Sequence, residues 1–256
     1  MFKRILCGVD ETPESIEAVR QARQLAQLES EFVLVGVLDV AAAVHAGWAA
    51  SAVLEDMRDA EVEALAAARG VGGEHTETRL VRGVPWSSIA DMAREEDIDL
   101  VAVGSHNHRR STGIVGGSVT TYTLHEAPCS VLIARPSDDP ERFPRSIVVG
   151  FDGSANALEA LAVARRLAEE NDASLRIVAA AGAQKLPLDP IREHAPETAL
   201  DHRSPVEALV AESETADLVV LGSRGLHGLA AVGSVSERVA HQAKSSVLVV
   251  RSRPLP

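Results

Sequence analysis

The stretch SIVVGFDGSANA, residues 146–157, follows the same pattern as RILCGVDETPES, residues 4–15. Each starts with apolar residues typical of a buried strand, continues through Gly, an apolar residue and Asp, and passes a polar turn into a helical pattern. Later in each copy, GSVTTYTLHEAPCSVLIAR (117–135) corresponds to GSVSERVAHQAKSSVLVVR (233–251). A pattern that recurs at both its start and its end indicates two copies of one structural unit.

The repeat divides the 256 residues into two predicted domains, 1–135 and 146–256. The segment between them, PSDDPERFPR (136–145), contains three prolines and several charges, which is typical of a linker. Asp10 and Gly104 are 94 positions apart, whereas Asp152 and Gly222 are 70 apart, so 24 residues are missing from the second copy. We expect this loss to shorten its second helix to about residues 189–195.

Strands and helices alternate along each copy. In the first copy, the apolar pattern predicts a helix from Pro13 to about Leu28, a strand over Phe32–Leu38 and a long helix over Trp48–Arg69. This alternation predicts an α/β protein of two tandem Rossmann-like domains, each an open parallel sheet with helices on both faces. Ligands of such sheets bind beyond the carboxyl ends of the strands.

Composition restricts the class of partner and the compartment. A net charge of −12 argues against a nucleic-acid or anionic-membrane surface, and 3% aromatic residues argue against base-stacking platforms. Cys7 and Cys129 form neither a disulfide framework nor a metal cluster, which favours a reducing compartment. The start of the chain lacks the pattern of a signal peptide, and no stretch has the length of a membrane span. We therefore expect a cytoplasmic protein.

Two kinds of feature predict a nucleotide site at the strand ends. Asp10 and Asp152 each follow the first strand of a copy, and a carboxylate there can accept hydrogen bonds from a ribose. The glycine-rich loops GSHNHRRSTGIVGGS (104–118) and GSRGLHGLAAVGS (222–234) each follow a fourth strand. A glycine loop that runs into a helix offers backbone N–H groups to phosphate. A purely structural interpretation is that each Asp is a helix N-cap and each Gly forms a turn.

Other catalytic patterns are weak. His106 and His108 are two positions apart, as metal ligands can be, but no third ligand cluster accompanies them, so we predict no metal site. The chain contains no Gly-x-Ser-x-Gly elbow. It also lacks the His-x-Gly-His and Ser-Gly-Gly-x-Asp-Ser elements of adenylyl transferases and ATP pyrophosphatases. These absences predict a protein that binds a nucleotide and hydrolyses it slowly at most.

The chain resembles the universal stress protein family in its tandem two-domain form. The resemblance includes the GVD and GFD segments, VEALVAESETADLVVLGSRG (206–225) and the repeated GSV segments. It implies a Rossmann-like fold of the adenine nucleotide α-hydrolase-like type. Nucleotide-binding members carry Gly, two residues, Gly, nine residues, then Gly-Ser or Gly-Thr. The implied ligand is ATP, alone or with Mg²⁺, with AMP and ADP as further candidates.

Each copy departs from this pattern at one point. The first copy has the right spacing but an Asn at the second glycine position, and its residues are Gly104, Asn107, Gly117 and Ser118. The second copy has the right residue types but only seven residues in the long interval, and its residues are Gly222, Gly225, Gly233 and Ser234. The resemblance also implies that the backbone of Val37 contacts adenine, with Ala180 as its nearest counterpart. We favour the first copy as the ATP site because its loop and middle elements are complete.

Three functions follow from this reading. The first is an ATP-binding module that responds to nucleotide in stress or signalling. The second is a dimeric scaffold that binds no nucleotide, and the third is an adenylyl-transfer or ATP-pyrophosphatase enzyme. The resemblance further implies that the last strands of the two halves, Val131–Ala134 and Val247–Val250, pair with each other, and that a homodimer can form.

Overall fold

A computed structural model describes residues 2–40, 50–73, 76–105, 118–180, 182, 188–223 and 234–251. The chain forms two compact units, one spanning Phe2–Cys129 and the other beginning at Ser130. No helix among the described residues combines the length and the apolar character needed to cross a membrane.

The first unit contains a parallel sheet of four strands. Its elements are β1 (Phe2–Val9), α1 (Pro13–Leu25), β2 (Ala26–Leu38), α2 (Ala50–Gly72), β3 (Thr76–Arg82), α3 (Pro85–Glu95), β4 (Leu100–Gly104) and α4 (Ser118–Glu126). The strand order is β3-β2-β1-β4, and each neighbouring pair is parallel. Leu100–Val103 of β4 are buried at every position, so both faces of this strand are covered, as in α/β sheets with helices on both sides.

The second unit contains six strands. Its elements are β5 (Ser130–Ala134), β6 (Ser146–Gly150), α5 (Ala155–Asn171), β7 (Ser174–Ala180), α6 (Leu188–His194), β8 (Ala199–Asp201), α7 (Pro205–Glu212), β9 (Leu218–Gly222), α8 (Val235–Gln242) and β10 (Ser246–Val250). The order is β5-β10-β9-β6-β7-β8, and all pairs are parallel except β5 with β10. The α/β class and the alternation of strands and helices predicted from the sequence are confirmed.

Strand β5 ends the first repeat in sequence but belongs to the sheet of the second unit. It pairs with β10 in antiparallel register, with Val247 opposite Ile133 and Val249 opposite Val131. Arg135, which follows β5, donates its backbone N–H to Ser246 Oγ at 2.9 Å, and its guanidinium donates to the Ala240 carbonyl near the end of α8. The last strands of the two repeats therefore pair, and the compact units divide before β5. The domain boundary placed at residue 135 follows the repeat and stays a prediction.

The boundary between α1 and β2 differs from the sequence prediction. Helix α1 ends at Leu25, and Ala26 already has extended backbone angles and pairs with Phe2 of β1. The prediction that this helix extends to about Leu28 was wrong. Leu28 fits the apolar pattern of the helix, but it lies in the extended β2, where it is 99% exposed. The pairing also shifts register between Phe2 and Arg4, which accommodates this long strand.

The middle of the second unit is shortened, as predicted. Helix α2 has 23 residues, whereas its counterpart α6 has 7. The strand after it also shrinks, from 7 residues in β3 to 3 in β8. A well-formed start to helix α7 follows β8, where Ser204 and Glu207 make a reciprocal capping box.

Candidate functional site

The candidate residues follow neighbouring strands in both units. In the first unit, β1 pairs with β4 so that Cys7 lies opposite Ala102, and Asp10 and Gly104 lie at the carboxyl ends of these two strands. In the second unit, Val149 of β6 lies opposite Val220 of β9, which brings Asp152 and Gly222 to the same edge. The predicted juxtaposition of each aspartate with the start of its glycine loop is therefore present twice.

Gly104 and Gly222 allow the helix after the first strand to approach the loop closely. A Cβ on Gly104 would lie 2.6 Å from the backbone carbon of Glu14, in the first turn of α1. A Cβ on Gly222 would lie 2.3 Å from the carbonyl oxygen of Asn156, in the first turn of α5. Both distances are shorter than any real contact of a methyl group. The first glycine of each loop is therefore needed to bring a helix N-terminus beside the loop.

Asp10 and Asp152 each hold a turn with one oxygen of the carboxylate. Asp10 Oδ1 accepts from the N–H of Thr12 at 3.0 Å, and Asp152 Oδ1 accepts from the N–H of Ser154 at 3.0 Å. Thr12 and Ser154, and not the aspartates, occupy the N-cap positions of α1 and α5. Within the described parts of the chain, nothing donates to the second oxygen of either carboxylate. One acceptor oxygen of each aspartate is therefore available to a ligand.

The strand registers identify the counterpart of Val37. Gly8 of β1 lies opposite Val35, and Gly150 of β6 lies opposite Val178. Counting two residues onward along β2 and β7 equates Val37 with Ala180. Val37 and Ala180 each lie at the carboxyl end of the strand that pairs with the strand before the aspartate. The family resemblance implies that the adenine base is bound at this position. The assignment of Ala180 as the counterpart of Val37 thus follows from backbone pairing.

Comparison with known proteins agrees with this arrangement. A sequence model of the universal stress protein family matches residues 1–135 and 183–251. The chain belongs to the universal stress protein family. A universal stress protein of Mycobacterium tuberculosis H37Rv is 28% identical over 290 residues and covers 96% of each chain. One from Mycolicibacterium smegmatis is 26% identical and covers 97% of each.

A solved structure agrees over the same length. The universal stress protein from Archaeoglobus fulgidus DSM 4304 superposes with a TM-score of 0.76 at 20% identity, covering 97% of this chain and 96% of that one. Two relatives that match nearly the whole chain and one structure that shares its fold confirm the tandem form predicted from the repeat.

Ser234 of this universal stress protein caps a helix. Its Oγ accepts from the N–H of Glu237 at 3.2 Å, at the start of α8. Its counterpart Ser118 is the first residue of α4. Ser234 therefore has a structural role as a helix cap, and contact of either serine with phosphate stays a prediction.

We expect Ser234→Ala to lower the free energy of unfolding by about 1 kcal/mol, because it leaves an N–H of the first turn without its acceptor. Urea unfolding followed by circular dichroism measures this change. Ser234→Asp is the matched control, since Asp is an equally good cap and should keep the stability of the wild type. Equal losses in both variants would contradict a capping role.

The central residues of both glycine loops lie outside the described residues. These are Asn107, Gly117, Gly225 and Gly233, together with His106 and His108. Their predicted contacts with phosphate stay predictions from the sequence. Among the residues that the structure describes, no group of three or more His, Cys, Asp or Glu side chains is arranged to hold a metal ion.

Glu61 is a buried acid that was not predicted from the sequence. It lies in α2 and is 9% exposed, and its Oε2 has no hydrogen-bond partner within the described parts of the chain. Burial, followed by the charges of Asp10 and Glu11, raises the pKa of Glu61 to about 7. Its spacing contained a signal, because Ala64, Leu65 and Ala68 follow it at helical intervals and are all buried.

Proposed function

We propose that this universal stress protein binds an adenine nucleotide, with ATP as the first candidate, at the carboxyl edge of the sheet in the first unit. The observation that carries the proposal is the Asp10 oxygen to which no described residue donates, together with a loop whose first glycine packs against the start of α1. That oxygen can accept from a ribose hydroxyl, while the helix start and the loop offer N–H groups to phosphate. The backbone at Val37 is then placed to meet the base.

The first unit is favoured over the second by its completeness. The long helix α2 follows Val37 in the first unit, whereas the shorter α6 follows Ala180 in the second. The loop of the first unit has the nine-residue interval of nucleotide-binding family members, and the second loop has seven. We propose that ATP, alone or with Mg²⁺, binds in the first unit, with AMP and ADP as further candidates.

We further propose that binding, and not turnover, is the function. The described site consists of turn-forming side chains and backbone groups, which suit a module that changes shape with nucleotide and signals to a protein partner. Both cysteines are buried and neither forms a disulfide, which suits a reducing cytoplasm. Steady-state ATP hydrolysis should be slow, and rapid multiple turnover would instead support the enzyme hypothesis.

The decisive test is the binding of nucleotide to matched variants. Nucleotide released from the purified, denatured chain is identified by mass spectrometry, and ATP is titrated calorimetrically into wild type, Asp10→Ala and Asp152→Ala. Asp10→Ala should weaken ATP binding by about tenfold to hundredfold, the value of a charge-assisted hydrogen bond. Asp152→Ala should leave the affinity unchanged, although it breaks the equivalent turn.

The controls separate the loss of a ligand contact from the loss of a turn. Asp10→Asn keeps an oxygen for the Thr12 N–H but loses the charge, so its affinity should lie between those of the wild type and Asp10→Ala. If Asp152→Ala alone weakened ATP binding to this extent, the nucleotide site would be in the second unit instead. No released nucleotide and no heat at millimolar ATP would favour the dimeric scaffold, which Asn107 and the shorter second loop also suit.

A further inference from the structure

The carboxyl group of Glu61 packs against the strand that ends at the candidate site, and its Oε2 has no hydrogen-bond partner among the described residues. Glu61 Oε2 is fully enclosed and faces β2, where a Cβ added to Gly36 would lie 2.7 Å from it. Gly36 lies opposite Val9 and directly precedes Val37. The carboxyl of Glu61 therefore lies between helix α2 and the strand that ends at the candidate nucleotide site. An unpaired buried carboxyl is costly when ionised, so its position calls for a functional account.

The charged neighbours of Glu61 are acidic. Asp10 and Glu11, in the turn after β1, both raise its pKa, and burial is the larger cause of the rise to about 7. Helix α1 and strand β3 pack against α2 and carry Arg20, Arg23, Arg79 and Arg82. Arg23 lies over the ring of Phe32, and none of the four is among the causes of the shifted pKa of Glu61. Arg20 pairs with Glu17, and Arg79 pairs with Glu77 and Glu96. No cation among the described residues compensates the charge of Glu61, and it ionises close to neutral pH.

The repulsion between Glu61 and Asp10 connects this group to the ligand contact. An ionised Glu61 repels the carboxylate of Asp10, which we propose as the ribose acceptor. A protonated Glu61 removes that repulsion. Bound nucleotide adds negative charge and displaces water, and both changes favour the protonated form of Glu61.

We propose that Glu61 is a positioning residue that acts through Asp10 and couples nucleotide binding in the first unit to the uptake of a proton. This inference rests on the proposed function of the same site. Because Glu61 ionises close to neutral pH, the affinity for nucleotide falls as the pH rises through neutrality. The described residues of α6, the counterpart of α2, place no buried acid beside Asp152, so the coupling belongs to the first unit.

The test is calorimetric titration of the full chain with ATP between pH 6.5 and 8.5, in buffers of different ionisation enthalpy. Bound ATP is expected to raise the pKa of Glu61 by up to about one unit. Wild type should therefore bind ATP about three- to tenfold more weakly at pH 8.5 than at pH 6.5. Binding should also be accompanied by net uptake of protons. Glu61→Gln should remove this difference. Glu63→Gln is the matched control, since Glu63 is exposed on the same helix and should behave as wild type. Titration of ATP itself is common to all three proteins and cancels in the comparison.

The outcomes separate this inference from the proposed function. ATP binding with the same pH profile and proton count in wild type and Glu61→Gln would overturn the coupling and leave the proposed function standing. Absence of ATP binding in all three proteins would overturn both. A protonated carboxyl band in the infrared spectrum of the ligand-free wild type at pH 6, missing in Glu61→Gln, should confirm that Glu61 carries the proton before any ligand binds. Absence of that band would also overturn the coupling.

Discussion

Gly222→Ala should lower the free energy of unfolding by about 3 kcal/mol, the upper range for forcing an added methyl into a packed site. The new Cβ would lie 2.3 Å from the carbonyl oxygen of Asn156 and 2.5 Å from its carbonyl carbon. These atoms belong to the first turn of α5, so they cannot move aside as the end of a flexible side chain can. The end of β9 or the start of α5 must shift. Urea unfolding followed by circular dichroism measures the loss.

Gly104→Ala should have a similar cost in the first unit, where the nearest backbone atom is at 2.6 Å. Gly70→Ala is the control, because Gly70 lies in α2 with nothing within 4 Å of its added Cβ. That substitution should raise the free energy of unfolding by about 0.5–1 kcal/mol, since alanine is the better helix former. If Gly222→Ala and Gly70→Ala change stability alike, the close helix approach is not what requires glycine at the loop.

Part of this site could be predicted from the sequence. The alternation of strands and helices placed Asp10 and Gly104 at the carboxyl ends of the first and fourth strands, and these strands are neighbours in the parallel sheet. The repeat also located the missing residues that reduce α2 to α6. The N-cap interpretation of the aspartates was wrong, because Thr12 and Ser154 occupy the cap positions, and the aspartates, two residues earlier, accept from the backbone N–H groups of these two residues.

The features missed from the sequence depend on contacts between distant residues. Leu28 fits an amphipathic helix, yet the pairing of Ala26 with Phe2 draws the chain into a strand and leaves Leu28 in solvent. Glu61 looks like one of many acids on a charged helix, and its burial depends on Gly36 leaving room against β2. The local pattern records neither the pairing of Ala26 nor the room at Gly36, although the apolar residues that follow Glu61 at helical intervals mark its face of α2 as buried.

Glu61→Gln should raise the free energy of unfolding at pH 8 by about 3 kcal/mol, the equivalent of a pKa raised by about 2.5 units. The folded chain holds a proton on Glu61 up to about pH 7, whereas an unfolded glutamate releases it near 4.5. The contribution of Glu61 to the free energy of unfolding of the wild type is therefore fully present below about pH 4.5. It falls as the pH rises to about 7 and stays low at higher pH. Glutamine keeps the shape and carries no charge at any pH, so its variant lacks this fall.

The pH profile distinguishes this effect from simple repacking. Both tryptophans, Trp48 and Trp86, belong to the first repeat, so their fluorescence in urea reports on the part of the chain that contains Glu61. Wild type and Glu61→Gln should be equally stable near pH 4.5 and separate progressively towards pH 8. Glu63→Gln, an exposed change on the same helix, should follow the wild type throughout. A constant offset between Glu61→Gln and wild type at every pH would show that the substitution alters packing, and that Glu61 is not the group that ionises near neutrality.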